Sequence, residues 1–201
     1  FGGDAAGDTL AGIENLLGSG SGDTLKGNAG DNVLQGALGD DVLVGTSGAD
    51  VLQGGGGFDT ADYSSFGNRV RINLSGGSVI AIGSADPNDV LASIENAVGT
   101  ALNDEIHGSA AANTLAGGDG SDTLEGAGAG DSLIGGSGVD TLNGGPGADT
   151  ISLGDGATRW TPRQRGAPDG LGWWPPPPDL ASACCRPYRP RSCSPPGCRA
   201  M

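Results

Sequence analysis

The chain has 201 residues, 41 of them glycine, a formal net charge of −14 and only 4% aromatic residues. Single Leu, Val and Ile residues scattered among Gly, Asp, Ser and Thr exclude an ordinary globular core, because little apolar area is set against much backbone entropy. The acidic balance excludes a nucleic-acid surface, which needs the opposite sign, and no run of about 18 apolar residues is present to span a membrane.

Charge divides the chain. Residues 1–158 hold 22 acidic and three basic side chains, a net −19, whereas residues 159–201 hold seven Arg and two Asp, a net +5. Residues 1–17 contain the lead-in Asp8-Thr-Leu-Ala-Gly-Ile-Glu-Asn15, which returns as Asp89-Val-Leu-Ala-Ser-Ile-Glu-Asn96, 81 residues later. The chain starts at Phe1 without a charged-then-apolar leader. Residues 1–17 are therefore expected to be the end of a preceding unit in a longer chain.

Residues 18–62 divide into nines: GSGSGDTLK, GNAGDNVLQ, GALGDDVLV, GTSGADVLQ and GGGGFDTAD. Residues 63–98 break the period. There Val70, Ile72 and Leu74 alternate with Arg71 and Asn73, and Ser75-Gly-Gly-Ser78 is a turn signal before Val79 to Ile82. This predicts a β-hairpin that interrupts or caps the repeats. Residues 89–98 are expected to form a short turn or helical piece. Tyr63, Phe58 and Phe66 are expected to pack at the end of the first block.

The period resumes over residues 99–158 with GTALNDEIH, GSAAANTLA, GGDGSDTLE, GAGAGDSLI, GGSGVDTLN and GGPGADTIS. Across the eleven repeats position one is always Gly, position six is Asp in nine and Asn in two, and position eight is Leu or Ile in ten. His107 falls at position nine of a strand and is expected on the surface. One His in the repeats leaves no Ser/His/Asp triad, and no Gly-Lys-Ser or Gly-Lys-Thr makes a nucleotide loop, so a non-catalytic module is expected. Residues 159–201 hold all four Cys, all three Trp and ten of the twelve Pro. Pro175 to Pro178 and the Arg-Pro pairs oppose regular structure. The segment is expected to be a disordered tail, and a non-native continuation.

Nine residues suit a turn of about six and a strand of about three. Glycine admits positive φ in the turn, and the Thr, Val and Leu that follow suit a strand. One strand per repeat makes two repeats a coil, so residues 18 apart stack as parallel strands. Leu25 then lies under Leu43, Leu34 under Leu52, Leu124 under Leu142 and Leu133 under Ile151. The predicted fold is all-β, a parallel β-roll in two blocks.

Stacking also brings position-six carboxylates together: Asp23 with Asp41, Asn32 with Asp50, Asp41 with Asp59, Asp104 with Asp122, Asn113 with Asp131, Asp122 with Asp140, and Asp131 with Asp149. Two charges about 5 Å apart repel by ~1 kcal/mol in water and by ~3 at an effective dielectric of 20. A hard divalent cation relieves that repulsion. Calcium takes six to eight oxygens in flexible geometry, carboxylates and backbone carbonyls included, whereas magnesium demands a tight octahedron. Zinc finds no Cys and one His in the repeats. The candidate ligands are these eleven side chains and the turn glycines Gly36, Gly39, Gly54, Gly57, Gly117, Gly120, Gly135, Gly138, Gly144 and Gly147. The pairs Asp41/Asp59 and Asp122/Asp140 are the strongest, and those with an Asn amide are the weaker.

The sequence resembles the RTX, or haemolysin-type, calcium-binding repeats, whose pattern is G-G-x-G-x-D-x-U-x with U apolar. Gly117 to Glu125 and Gly135 to Asn143 match it throughout, and the likeness covers about residues 8–152. The resemblance implies a right-handed β-roll, several bound calcium ions, export from a bacterium by a one-step route and folding outside the cell. It implies no nucleic acid and no membrane span, and leaves a cell-surface or matrix ligand open. Proteins of this kind include adhesins and exported hydrolases or toxins, whose activities lie in other domains.

Overall fold

In the computed structural model, residues 14–81, 88–155 and 159–160 are described. They form strands and turns, with no helix among them. Strands β1 (Asn15–Leu17), β2 (Thr24–Lys26), β3 (Val33–Leu38), β4 (Val42–Val44), β5 (Val51–Gly56) and β6 (Thr60–Asp62) alternate between two sheets. After an interruption at β7 (Val70–Asn73), β8 (Ser78–Ala81), β9 (Asp89–Ala92) and β10 (Asn96–Val98), the alternation resumes. It runs through β11 (Glu105–His107), β12 (Thr114–Asp119), β13 (Thr123–Glu125), β14 (Ser132–Ser137), β15 (Thr141–Asn143), β16 (Thr150–Ser152) and β17 (Arg159–Trp160). All pairings outside the interruption are parallel, so the chain winds as a β-solenoid.

The registers are those that a nine-residue period dictates. Leu25 pairs with Leu43, Leu34 with Leu52, Leu124 with Leu142 and Leu133 with Ile151. Position eight points inward in each strand, and Leu34, Leu43, Leu52, Ile106, Leu115, Leu124, Leu133 and Leu142 are fully buried. Its period-two neighbours at positions seven and nine face outward. Strand length exceeds the expected three residues in four places. In β3, β5, β12 and β14 the ladder continues through the next glycine, as in Ala37 opposite Gly55 and Gly118 opposite Gly136.

The interruption is more than a hairpin. β7 and β8 pair antiparallel, Ile72 opposite Val79, across the predicted turn. β8 also pairs antiparallel with β9. β9 returns beside β5 with Leu91 opposite Leu52, while β7 lies beside β11 with Ile72 opposite Ile106. The turn or helical piece expected over 89–98 is instead the pair of strands β9 and β10. Asp89-Val-Leu-Ala supplies the Asp-x-Leu pattern of a repeat, so Leu91 enters the core ladder and Ala97 stacks on Ala61. The ladder also reaches Arg159 and Trp160, which pair with Thr141 and Leu142. Regular structure therefore enters the first two residues of the segment expected to be disordered; residues 161–201 lie outside the described residues.

At the end of the first block Tyr63 is buried and meets Phe66 edge-on, ring centroids 6.0 Å apart. Phe58 departs from expectation: it sits on the turn and is 63% exposed. The Tyr63 hydroxyl donates to Asp89 Oδ2 at 2.5 Å, across the interruption. Burial, first, and the facing Asp89 carboxylate push the phenol well above its ordinary range, so it stays a donor. Tyr63→Phe is expected to destabilise the roll by about 1.5–3 kcal/mol, the range for a hydrogen bond to a charged group. A denaturant melt in saturating calcium measures it.

Candidate metal centre

Seven of the eleven position-six side chains are held in one way. One side-chain oxygen accepts the backbone N–H of the residue 18 earlier, on the preceding coil. Asp41 Oδ1 accepts from Asp23 at 2.8 Å, Asp59 from Asp41 at 2.9 Å, and Asp50 from Asn32 at 2.9 Å. In the second block Asp122 accepts from Asp104 at 2.8 Å, Asp131 from Asn113 at 2.9 Å, Asp140 from Asp122 at 3.0 Å and Asp149 from Asp131 at 3.0 Å. The seven stacked pairs expected from the period are thus brought together. Three further bonds carry the lattice across the interruption: Asp50 N–H to Asp89 Oδ1, Asp59 N–H to Glu95 Oε2 and Val70 N–H to Asp104 Oδ1. Asp89 and Glu95 are absent from the sequence-derived candidates. The signal that could have found them is the returning Asp89-to-Asn96 lead-in.

These side chains are not a solvated acidic face. Asp41, Asp59 and Asp140 are fully buried, and Asp50, Asp104, Asp122 and Asp131 nearly so, as are Asn32 and Asn113. Only Asp23 and Asp149, at the ends of the ladder, are half-buried.

The second oxygen separates the turns. In Asp41, Asp59, Asp122, Asp131 and Asp140 the buried Oδ2 has no hydrogen-bond partner. In other turns that place is filled. Ser19 N–H donates to Asp23 Oδ2 at 2.5 Å, Asn28 N–H to Asn32 Oδ1 at 2.8 Å, and Ser109 N–H to Asn113 Oδ1 at 2.6 Å. Asp50 Oδ2 accepts from the Thr46 hydroxyl at 2.9 Å and Asp104 Oδ2 from the Thr100 hydroxyl at 2.9 Å.

Around each orphaned oxygen the backbone leaves a cradle. A Cβ on Gly36 would meet Asp41 Oδ2 and stand 2.7 Å from the carbonyl oxygen of Gly54 on the next coil. The same pair of oxygens faces Gly117 (Asp122 Oδ2 and Gly135 O) and Gly126 (Asp131 Oδ2 and Gly144 O). At Gly54 the carbonyl comes from Ser93, which adopts φ 51 in the interruption. Carboxylate and carbonyl oxygens converge on the space that only a missing side chain leaves free.

Burial raises the carboxyls of Asp41, Asp59 and Asp131 above the ordinary range, and neighbouring carboxylates add to it: Asp59 and Asp23 at Asp41, Glu95 and Asp40 at Asp59, and Asp149 at Asp131. Asp122 is pushed up to about 7, first by burial and then by Asp104 and Asp140, against the opposing hydrogen bond from Asp104 N–H. An ionised, buried oxygen without a donor is costly. Among the described residues no three His, Cys, Asp or Glu side chains form a metal-holding group. An ion here must draw most of its ligands from backbone carbonyls. That donor set fits calcium, which accepts mixed carboxylate and carbonyl oxygens, and fits zinc poorly. His107 lies on the sheet surface between Glu105 (2.9 Å) and Glu125 (3.1 Å), away from these cradles.

The family model for the RTX calcium-binding nonapeptide repeat, written as four copies, matches residues 8–43, 17–52, 44–62, 98–133 and 125–158. No curated protein matches the chain.

Proposed function

Since the chain belongs to the RTX calcium-binding nonapeptide repeat family, we propose that it is the calcium-dependent, non-catalytic part of a secreted bacterial protein, ordered by calcium outside the cell. The observation that carries this reading is the set of five buried carboxylate oxygens without a partner. The position-six side chains would hold the ions together with turn carbonyls such as those of Gly54, Gly135 and Gly144. Bound calcium supplies the positive charge that buried carboxylates otherwise lack. The residues themselves do the rest. Oδ1 locks each coil to the one before it, Oδ2 and the glycine carbonyls face the cradle, and the Leu ladder excludes water from one side. Among the described residues no helix is long and apolar enough to cross a membrane.

The 81-residue recurrence favours a second reading of the parent protein, a surface adhesin or matrix protein built from many such units. An exported hydrolase or toxin carrying this module would instead show an unrelated folded domain upstream.

The test is a calcium titration of the full chain followed by far-UV circular dichroism. We expect a weak β signal in EDTA and a cooperative gain with a midpoint of about 10⁻⁴–10⁻³ M, the range of extracellular modules. Equal β signal in EDTA and in millimolar calcium would remove the proposal.

A further inference from the structure

The eleven turns are not equivalent, and the difference follows one residue. Where the position-six oxygen that faces the cradle is filled, position two is Ser19, Asn28, Thr46, Thr100 or Ser109, none of them in the left-handed region. Where that oxygen is orphaned, position two is Ala37, Gly55, Gly118, Ala127 or Gly136, every one left-handed, with φ 85, 114, 108, 80 and 109 respectively. No described repeat with an orphaned oxygen breaks the rule.

The chemistry of the split is direct. Outside the left-handed region the position-two N–H faces the side chain four residues on and donates to it. In Thr46, Thr100 and Ser109 the hydroxyl adds a second donor to the same group. Two donors satisfy an oxygen that a cation would otherwise claim. With positive φ the turn offers neither N–H nor hydroxyl, and Oδ2 is left facing the cradle. Ala37 and Ala127 hold this strained conformation although each has a Cβ. Ser19 and Ser109 occupy the same place one coil earlier and cap.

Resting on the calcium reading above, we propose that position two decides which turns take an ion. Gly or Ala leaves a turn open to calcium, and Ser, Thr or Asn closes it by capping the position-six side chain. The turns of Asp41, Asp59, Asp122, Asp131 and Asp140 are open, and the rule makes that of Asp149 open too, since its position two is Gly145 with φ 87. The turns of Asp23, Asn32, Asp50, Asp104 and Asn113 are closed. The turn of Asp50 is closed twice, because a Cβ on Gly45 would collide with the Tyr63 ring, which fills its cradle. In the first block the open turns, Asp41 and Asp59, both precede strands of the sheet that contains β4 and β6, so one edge carries calcium and the other is held by hydrogen bonds alone. In the second block the open turns begin at Gly117 and precede strands of both sheets.

The experiment counts calcium per chain on the full-length protein by equilibrium dialysis at saturating calcium, in wild type and four variants. Ala127→Ser is expected to lose one ion, and Ala127→Gly to keep the wild-type count, which separates capping from disturbance of the turn. Thr100→Gly is expected to gain one ion at Asp104, facing the Gly117 carbonyl. Thr46→Gly is expected to gain none, because the Tyr63 ring remains. The Thr100 variant does not depend on the Ala127 variant folding. Unchanged counts in Ala127→Ser or in Thr100→Gly overturn the inference while leaving calcium binding intact. A wild-type chain that takes up no calcium overturns the calcium reading, and the inference with it.

Discussion

The double variant Asp122→Asn/Asp140→Asn is expected to be more stable than wild type in EDTA and much harder to load with calcium. Both parts follow from the same atoms. An Asn at 122 keeps an oxygen for the Asp104 N–H, now 2.8 Å from Asp122 Oδ1. Its amide nitrogen replaces an oxyanion that shares the space beside Gly117 with the Gly135 carbonyl oxygen. An acceptor facing an acceptor becomes a donor facing an acceptor. Asn113 shows that an amide is accommodated at position six, although in the reverse orientation: its nitrogen donates to the Glu95 carbonyl of the preceding coil at 2.7 Å and its oxygen accepts from Ser109 N–H at 2.6 Å. Removing a buried unpaired oxyanion is expected to raise the stability of the calcium-free roll by about 1–3 kcal/mol per site. Removing two charges from the ligand set is expected to raise the calcium midpoint about tenfold or more, equivalent to ~1.4 kcal/mol. The residual β signal in EDTA, higher in the variant, and calcium titrations, both by circular dichroism, read the two effects. Opposite signs distinguish this outcome from a mutation that merely damages the fold, and an unchanged midpoint would show that these carboxylates hold no ion.

Acidification is expected to stabilise the calcium-free roll and to weaken its response to calcium. Asp122 titrates at about 7 in the fold against 3.8 for the ordinary carboxyl, so between those values the folded chain binds the extra proton. Its contribution is therefore fully present below about pH 4 and is lost as pH rises through 7. The slope is at most ~1.4 kcal/mol per pH unit for each such group. Asp41, Asp59, Asp104 and Asp131 shift in the same direction, each chiefly through burial. Glu105, lowered by His107 and Arg71, works in the opposite sense, but it lies on the exposed face of the sheet. Calcium competes with the same protons, so its midpoint should rise as pH falls from 7.5 to 5. The far-UV β signal in EDTA, expected to grow as pH falls, and calcium titrations over that pH range measure both trends. A calcium-free roll that loses stability on going from pH 7 to pH 5 would contradict the burial of these carboxyls.

The solenoid was legible because three positions of each nine carry separate physical tasks in fixed phase. Gly at one admits close approach, Asp at six reaches across coils, and Leu at eight fills the interior. That phase alone places Leu34 under Leu52 and Asp41 under Asp59. It fails at the interruption, where Leu91 pairs with Leu52 at a spacing of 39 and Ala97 with Ala61 at 36. A period of 18 cannot register strands separated by an insertion. So Asp89-to-Ala92 read as a turn, and Glu95, which has one more methylene than Asp, escaped notice as its substitute. The division between capped and orphaned carboxylates was illegible for another reason. Ser, Thr and Asn are ordinary turn residues, and whether their N–H reaches the side chain four residues on depends on a φ angle that the residue name does not fix. Phe58 departs from expectation because aromatic character suggests burial, whereas its turn position keeps it outside.

The inserted strands change the geometry of any array built from this unit. Between β5 and β11 one sheet carries three strands, while between β6 and β12 the other carries β10 alone. At about 4.8 Å per strand, one wall is longer than its opposite by roughly 10 Å. Such a surplus would act as a keystone, spreading one wall and turning the column's axis. Repeated every 81 residues, the same wedge would give a filament a built-in curvature, its bend points set by hairpins and the straight spans between them by calcium.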